Sequence, residues 1–347
     1  MALQGSFFQQ SHIIYKKGKK IMDEEQLPTI AEIYSIGKEN LERAGVKLSV
    51  SLGNYNTATS IESRKYLDTL FFRPHFIDTV EADTSITLFS RKLKAPIFCS
   101  AVSALPFMSK SWAVDIGRGI AKCGSLMMLG IGGSDELQSV IDTGAPVIKI
   151  VKPYRSSDLI YNKVRDAETR GCVAVGMDID HALGRLNGDR LEGTAMRGPQ
   201  RSEELKQLIS QTKLPFIIKG VLNVSDAQKA IEIGASAIVV SNHSANSFLF
   251  GLPSAMALPA IVDVAGKKLT VLVDSGFASG IDALKGLALG AKAVGFGFPV
   301  VAALMADGSR GIELLFNQIA AQLKHGMTAT GCSNVAEINK SILFSVT

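Results

Sequence analysis

The sequence predicts an α/β protein of the closed (β/α)8 type, a TIM barrel with a helical cap segment at its N-terminal side. Three observations carry this reading. From Pro96 onward, short apolar runs alternate with amphipathic stretches, and the alternation occurs eight times. The runs are continuously apolar rather than alternating, as expected of parallel strands covered on both faces. Eight such units over about 230 residues match a closed barrel. An open doubly wound sheet is the alternative. The segment SAVSALPFM after the first run lacks the glycine-rich dinucleotide fingerprint expected there.

The elements follow in order. LPTIAEIYSIGKENLERAG (27–45) reads as a helix, and SIESRKYLDTLFFRPHFID (60–78) as a second, followed by a short extended segment. Both are expected to cover the lower end of the barrel. This divides the chain into an arm and cap (1–95) and a barrel (96–347) within one structural unit. The eight strands are PIFCSAV (96–102), SLMMLG (125–130), PVIKIV (146–151), VAVGMDI (173–179), PFIIKGV (215–221), AIVVSNH (237–243), TVLVDSG (270–276) and AVGFGFP (293–299). Between them WAVDIGRGIAKCG, SDLIYNKVRDAETRG, VSDAQKAIEIGA and SGIDALKGLALGA space apolar residues by three and four and end on or near glycine. GIELLFNQIAAQLKHGMTATG (311–331) is an amphipathic helix that completes the eighth unit.

Composition narrows the function classes. The chain has 347 residues, 46% hydrophobic and 20% charged, with 32 glycines, enough apolar material for a large core. The formal charge is +5 and is dispersed, apart from KKGKK at Lys16–Lys20, which reads as a solvated arm; nucleic-acid binding has no support. Cys99, Cys123, Cys172 and Cys332 show no metal-type spacing and read as reduced thiols of a cytoplasmic protein. The first residues lack the apolar stretch of a secretory signal, and no apolar run approaches the roughly 20 residues of a membrane helix.

In this architecture ligands bind where the strands end. The polar triplet Ser241-Asn242-His243 closes the sixth run. The other run ends carry Ala101-Val102-Ser103, Gly130, Lys149, Asp178-Ile179-Asp180-His181, Lys219-Gly220, Asp274-Ser275-Gly276 and Gly297-Phe298. Two lysines, several acids and two histidines are therefore expected at one mouth, with no metal.

FFRPHF, API, LPFIIKGVLNVSDAQKAIEIGASAIVVSNH, VLVDSG, DALKGLALGAKAVGFGFPVV and TATGCSNVAEI together resemble the FMN-dependent α-hydroxy acid dehydrogenase/oxidase family. The resemblance runs from about Ser60 to Ile342 and is most specific between Leu214 and Pro299. It implies FMN at the barrel mouth and hydride transfer from a hydroxylated small molecule to the flavin. It implies that Lys219 lies near the flavin and favours its anionic reduced form, that Ser241 contacts the ring, and that His243 is the base. Ala101, Val102 and Ser103 would lie beneath the ring; Gly130, Lys149 and Asp178 match other ring-contacting positions. Asp274, Ser275, Gly276, Phe277, Gly297 and Phe298 would cradle the phosphate with backbone N–H groups. A homo-oligomer, a tetramer in many relatives, is also implied.

The chain departs from the family at several places. Asn246 stands where an arginine grips the substrate carboxylate, and is with His181 a candidate substrate-binding residue. Tyr55 is a loose match to a tyrosine in the cap, and Val151 falls at the expected position of a strand-three tyrosine. Phe277, Ala278 and Phe298 occupy the neighbourhood of two phosphate arginines. Lys149 replaces a glutamine and Asp178 a threonine, which points either to a new ion pair beside the flavin or to a changed ligand. The loop after strand four is short, and Arg190, Arg197 or Arg201 is a candidate source of the missing charge. Two alternatives stay open: a flavin-dependent isomerase or lyase in which Asp178, Asp180, His181 and His243 shuttle protons, and a non-catalytic member without FMN.

Overall fold

The computed structural model describes residues 28–45, 57–102, 109–187, 190–192, 195–245 and 248–345. Eight parallel strands close into a barrel: β1 (Ile97–Val102), β2 (Leu126–Leu129), β3 (Val147–Val151), β4 (Ala174–Asp178), β5 (Phe216–Val221), β6 (Ala237–Val240), β7 (Thr270–Val273) and β8 (Ala293–Phe296). Each strand pairs with its neighbours in sequence, and β8 pairs back onto β1. The helices α1 (Trp112–Cys123), α2 (Ser134–Ile141), α3 (Ser157–Thr169), α4 (Ser202–Ser210), α5 (Val224–Glu232), α6 (Ser254–Ala265), α7 (Gly280–Ala288) and α8 (Phe298–Ala329) surround it. Among the described residues no helix is long and apolar enough to cross a membrane.

Local chemistry sets the helix limits. Ser156, Asn223 and Ser279 each accept a hydrogen bond from a first-turn backbone N–H of α3, α5 and α7. Gly124 ends α1 in the left-handed conformation, φ +62°. The tail helix begins earlier than its pattern suggests, because α8 runs from Phe298 through a break at Asp307-Gly308.

Two chemically different shells share each strand. Phe98, Leu126, Ile148, Ala174, Ile217, Ala237, Leu272 and Ala293 fill the barrel interior. Residues of opposite parity, such as Val151, Val175, Ile218 and Ile238, join the larger core between sheet and helices.

The cap differs from expectation. The first cap helix is Ile30–Arg43, started by a Thr29–Glu32 capping box. The second ends at Thr69, where the chain enters the strand Leu70–Phe72 and pairs with Leu343–Ser345. Neither helix covers the lower end. The second lies beside the mouth: Thr59 Oγ1 donates to Gly251 O, Ser63 touches the turn at Gly276, and Arg64 grips Asp282 through two bonds of 2.9 and 3.0 Å. The first cap helix packs on α8, where Gly37 passes so close to Ala302 that a β-carbon would meet its carbonyl oxygen. The lower end is plugged by the hairpin Ile86–Leu88/Arg91–Leu93, whose Ile86, Leu88 and Leu93 belong to the interior cluster.

Candidate active site

Above the apolar interior, the inward positions turn polar. Asp178 ends β4, Lys219 lies late in β5, and Ser241 and Asp274 follow β6 and β7 directly. Lys152 follows β3, in phase with the inward Ile148 and Ile150. All five are buried. They carry charge into the barrel, and burial on that scale is tolerated only with close partners.

The partners form one network. Lys152 Nζ donates to Asp178 Oδ2 at 2.5 Å and lies 2.9 Å from His181 Nδ1. Lys219 Nζ donates to Ser241 Oγ at 3.2 Å, with Asp178 Oδ1 at 3.4 Å and Asp274 Oδ2 at 3.6 Å. His243 links both halves: Nδ1 is 2.5 Å from Asp180 Oδ2, and Nε2 is 3.0 Å from Lys219 Nζ and 3.2 Å from Asp178 Oδ1. Its ring lies 4.2 Å from that of His181, centre to centre.

The backbone around His243 is unusual. His243, Ser244 and Ala245 have φ of +48°, +54° and +63°, three consecutive left-handed residues that are not glycine. Each is held against a steric cost of order 1 kcal/mol, a form of strain that collects at functional sites. Asn242 helps to hold the turn, since its Oδ1 accepts from Ser244 N–H. Gly220, φ +102°, leaves the space that Asp180 fills.

Proton affinities follow from this packing. Burial raises the affinity of Asp178 for a proton, but Lys152, His243 and Lys219 outweigh it and hold the carboxyl well below its usual range. Burial is likewise overcome at Asp180, mainly by His243, and its pKa falls to about 2. Burial lowers Lys152 despite Asp178, whereas Asp274 and Asp178 reverse the effect of burial at Lys219 and raise it. His243 is pushed down by burial and pulled up further by Asp180 and Asp178, for a net rise. His181 falls to about 2, through burial and then through His243 and Lys152.

Most predicted residues meet here. His243, Lys219, Asp178, Ser241, Asp274 and His181 share the network, and Ser275 joins through Asp274 at 3.1 Å. Ala101, Val102 and Gly130 lie where β1 and β2 end. Gly276, Gly297 and Phe298 lie at the ends of the β7 and β8 segments. Ser103, Asn246 and Tyr55 lie outside the described residues. Two predicted contacts are corrected. Lys149 has the parity of the outer shell: its Nζ donates to Gly130 O at 2.5 Å, and Lys163, Glu136 and Asp166 are the charges around it. Its ammonium is therefore not in the network; the new ion pair is Lys152–Asp178, and Val151 is likewise outward. Phe277 turns its ring into the core against Gly286, so only its backbone is available to a ligand. Lys152 was missed; Ile148-x-Ile150-x-Lys152 was the signal. Of the loop arginines, Arg201 is exposed at the start of α4, and Arg197 pairs its backbone with Tyr154.

The mouth has features that suit FMN. Ser275 and Gly276 have φ of +72° and +91°, so the turn after β7 has the backbone form that can turn N–H groups towards a phosphate, whereas the first turn of α8 contains Pro299, which has no N–H, and Val300 N–H donates to Gly297 O. Ser100 Oγ, inward on β1 near Gly297, is buried without a partner among the described residues. Lys219 and Ser241 supply a cation and a hydroxyl at the edge of this space. The phosphate would be held by backbone rather than arginine. Asp178, His181 and His243 also bring one donor atom each within 4.8 Å of one another, as a metal site does. Their facing atoms are engaged by the two lysine ammonium groups, so as built the trio is an ion-pair network.

Comparison with known proteins agrees with this geometry. The family described as FMN-dependent dehydrogenase matches residues 40–201 and 185–345. Glycolate oxidase 1 of Oryza sativa subsp. indica is 26% identical over 357 aligned positions, covering 92% of this chain and 96% of that protein. L-lactate dehydrogenase of Pseudomonas syringae pv. syringae is 46% identical over 129 positions, 37% of this chain and 34% of its own. Among solved structures, mandelate oxidase superposes with a TM-score of 0.82 at 26% identity, over 92% of this chain and 98% of that one. With the family model matching from residue 40 to residue 345, the chain belongs to the FMN-dependent dehydrogenase family.

Proposed function

We propose that this FMN-dependent oxidoreductase oxidises the CH–OH group of a small hydroxylated molecule with His243 as the base. The supporting observation is that His243 Nε2 has a partner in either protonation state. When neutral, with Nδ1–H donating to Asp180, it accepts from Lys219 at 3.0 Å. When protonated, Nε2 forms an ion pair with Asp178, whose Oδ1 lies 3.2 Å away. A proton taken from the substrate hydroxyl therefore arrives where a carboxylate already waits, which is the arrangement a general base needs.

Bound FMN supplies the hydride acceptor. The protein residues do the rest. Lys219 places a buried positive charge where the reduced flavin would gather negative charge, Asp180 orients the imidazole, and the left-handed turn at 243–245 aims it. Ser275, Gly276 and Gly297 present the backbone for the phosphate. His243→Asn should leave bound FMN in place and slow anaerobic bleaching of the flavin by substrate about 100-fold or more; bleaching at the wild-type rate would remove His243 from this role.

We also infer one structural unit, with cap 1–95 and barrel 96–347, working as a homo-oligomer. Four buried, unpaired cysteines suit a reducing compartment such as the cytoplasm. Light scattering on the purified protein tests the assembly.

A further inference from the structure

We propose that His181, held in its Nε2–H form by Lys152, is a substrate-binding donor that receives an uncharged carbonyl oxygen beside the reacting CH–OH group. The inference rests on the oxidoreductase reading above and deepens it by naming the substrate class.

The first argument is the tautomer. Lys152 gives one proton to Asp178 Oδ2 at 2.5 Å and lies 2.9 Å from His181 Nδ1. An ammonium has donors only, so Nδ1 must accept and carries no proton. The neutral ring then carries its proton on Nε2. Burial and the Lys152 ammonium oppose a second proton on the ring, and His243 opposes it further whenever it is itself protonated.

The second argument is the unsatisfied donor. His181 is 8% exposed, and its Nε2 is buried with no partner among the described residues. A buried N–H without an acceptor is costly, and such groups are normally satisfied by water or by a ligand. This one is on a ring whose centre lies 4.2 Å from that of the base His243, the two rings tilted by 36°. An acceptor that pairs with it is placed next to the reacting carbon.

The third argument is charge. With His243 neutral, ready to act as base, the described network holds three carboxylates (Asp178, Asp180 and Asp274) and two ammonium groups (Lys152 and Lys219). The sum, two minus three, is −1. Each ammonium already has a carboxylate within 3.6 Å. A substrate carboxylate would add a negative charge where none of these cations is uncommitted; the carbonyl of an amide, ester or ketone adds none and suits a single neutral donor.

The test has three arms on the FMN-loaded protein. In ¹⁵N-histidine-labelled wild type, ring ¹⁵N–¹H correlation spectra should show His181 neutral, with its proton on Nε2, from about pH 5.5 to 8. Pyruvamide and pyruvate, as non-reacting product analogues, are titrated against the flavin absorbance; pyruvamide should bind at least about tenfold more tightly. His181→Ala should weaken pyruvamide about tenfold, the loss expected for one neutral hydrogen bond, and His181→Gln, which keeps a donor near Nε2, should recover most of it. A proton on Nδ1, unchanged pyruvamide affinity in His181→Ala, or tighter binding of pyruvate overturns the proposal. If His181→Ala does not fold, the two wild-type arms decide. None of these readouts needs turnover, so a failure of His243 as base leaves them intact and is told apart from a failure here.

Discussion

Gly220 and Asp180 occupy the same small volume at the barrel mouth: a β-carbon on Gly220 would lie 2.5 Å from the Asp180 carboxyl. The glycine also holds φ +102°, a conformation that L side chains rarely adopt. Gly220→Ala therefore both strains the backbone and displaces the carboxylate that orients His243. It should lower stability by about 1–3 kcal/mol in urea denaturation and reduce kcat at least about tenfold. A variant with normal kcat would show that Asp180 need not be held where it is.

The pH dependence of catalysis should follow His243. A base works deprotonated, and burial opposed by the stronger pull of Asp180 and Asp178 raises its pKa above 6.5. The acid limb of kcat/KM should therefore lie above the ordinary imidazole range. Asp180→Asn removes the largest upward pull, so the limb should move to lower pH while kcat falls as orientation is lost. An unmoved limb would assign it to another group.

The Lys152–Asp178 pair should show the asymmetry of buried ion pairs. Both partners are within 5% of full burial. Lys152→Met leaves Asp178 with Lys219 at 3.4 Å and His243 at 3.2 Å, but without its closest cation. A loss of about 3 kcal/mol is expected by chemical denaturation. Adding Asp178→Asn should recover more than half of it, because the stranded charge is gone; additive losses would show that the two side chains act independently.

Acid should destabilise the protein through His181. Its pKa falls from 6.5 to about 2 on folding. A depressed folded pKa gives stability that is present above 6.5 and is lost as pH falls towards 2. From pH 6.5 to 5 the loss reaches about 2 kcal/mol. The raised pKa of His243 has the opposite sign: its contribution is present below 6.5 and is lost as pH rises. Comparing wild type with His181→Gln isolates the first effect; the variant should lose less stability between these pH values. Parallel curves would place the acid sensitivity elsewhere.

Several features were legible before any coordinates because they depend on neighbours in sequence. The eight apolar runs all became barrel strands, since an uninterrupted run of Ile, Val and Leu can be buried on both faces only in a covered parallel sheet. Ser241, His243, Lys219, Asp178 and Asp274 could be placed at the mouth because each closes such a run. The number of lysines in the site was also correct.

Their identity was not. The string Lys149-Ile150-Val151-Lys152 contains two lysines of opposite parity, and a slip of one residue exchanges inside for outside. Only closure of the barrel, with Ile148 and Ile150 in its interior, put Lys152 against Asp178 and sent Lys149 to Gly130. The cap was misplaced for a related reason. Amphipathic helices declare that they have an apolar face, not which surface covers it; the close passage of Gly37 at Ala302 and the Arg64–Asp282 pair settled that. The sequence by itself thus determined the fold class, the strands and which chemistry reaches the mouth, because these follow from local periodicity. Only the tertiary structure decided which lysine pairs with which acid, the free nitrogen of His181 and the space at Gly220, because each depends on atoms from strands far apart in the chain meeting within a few ångströms.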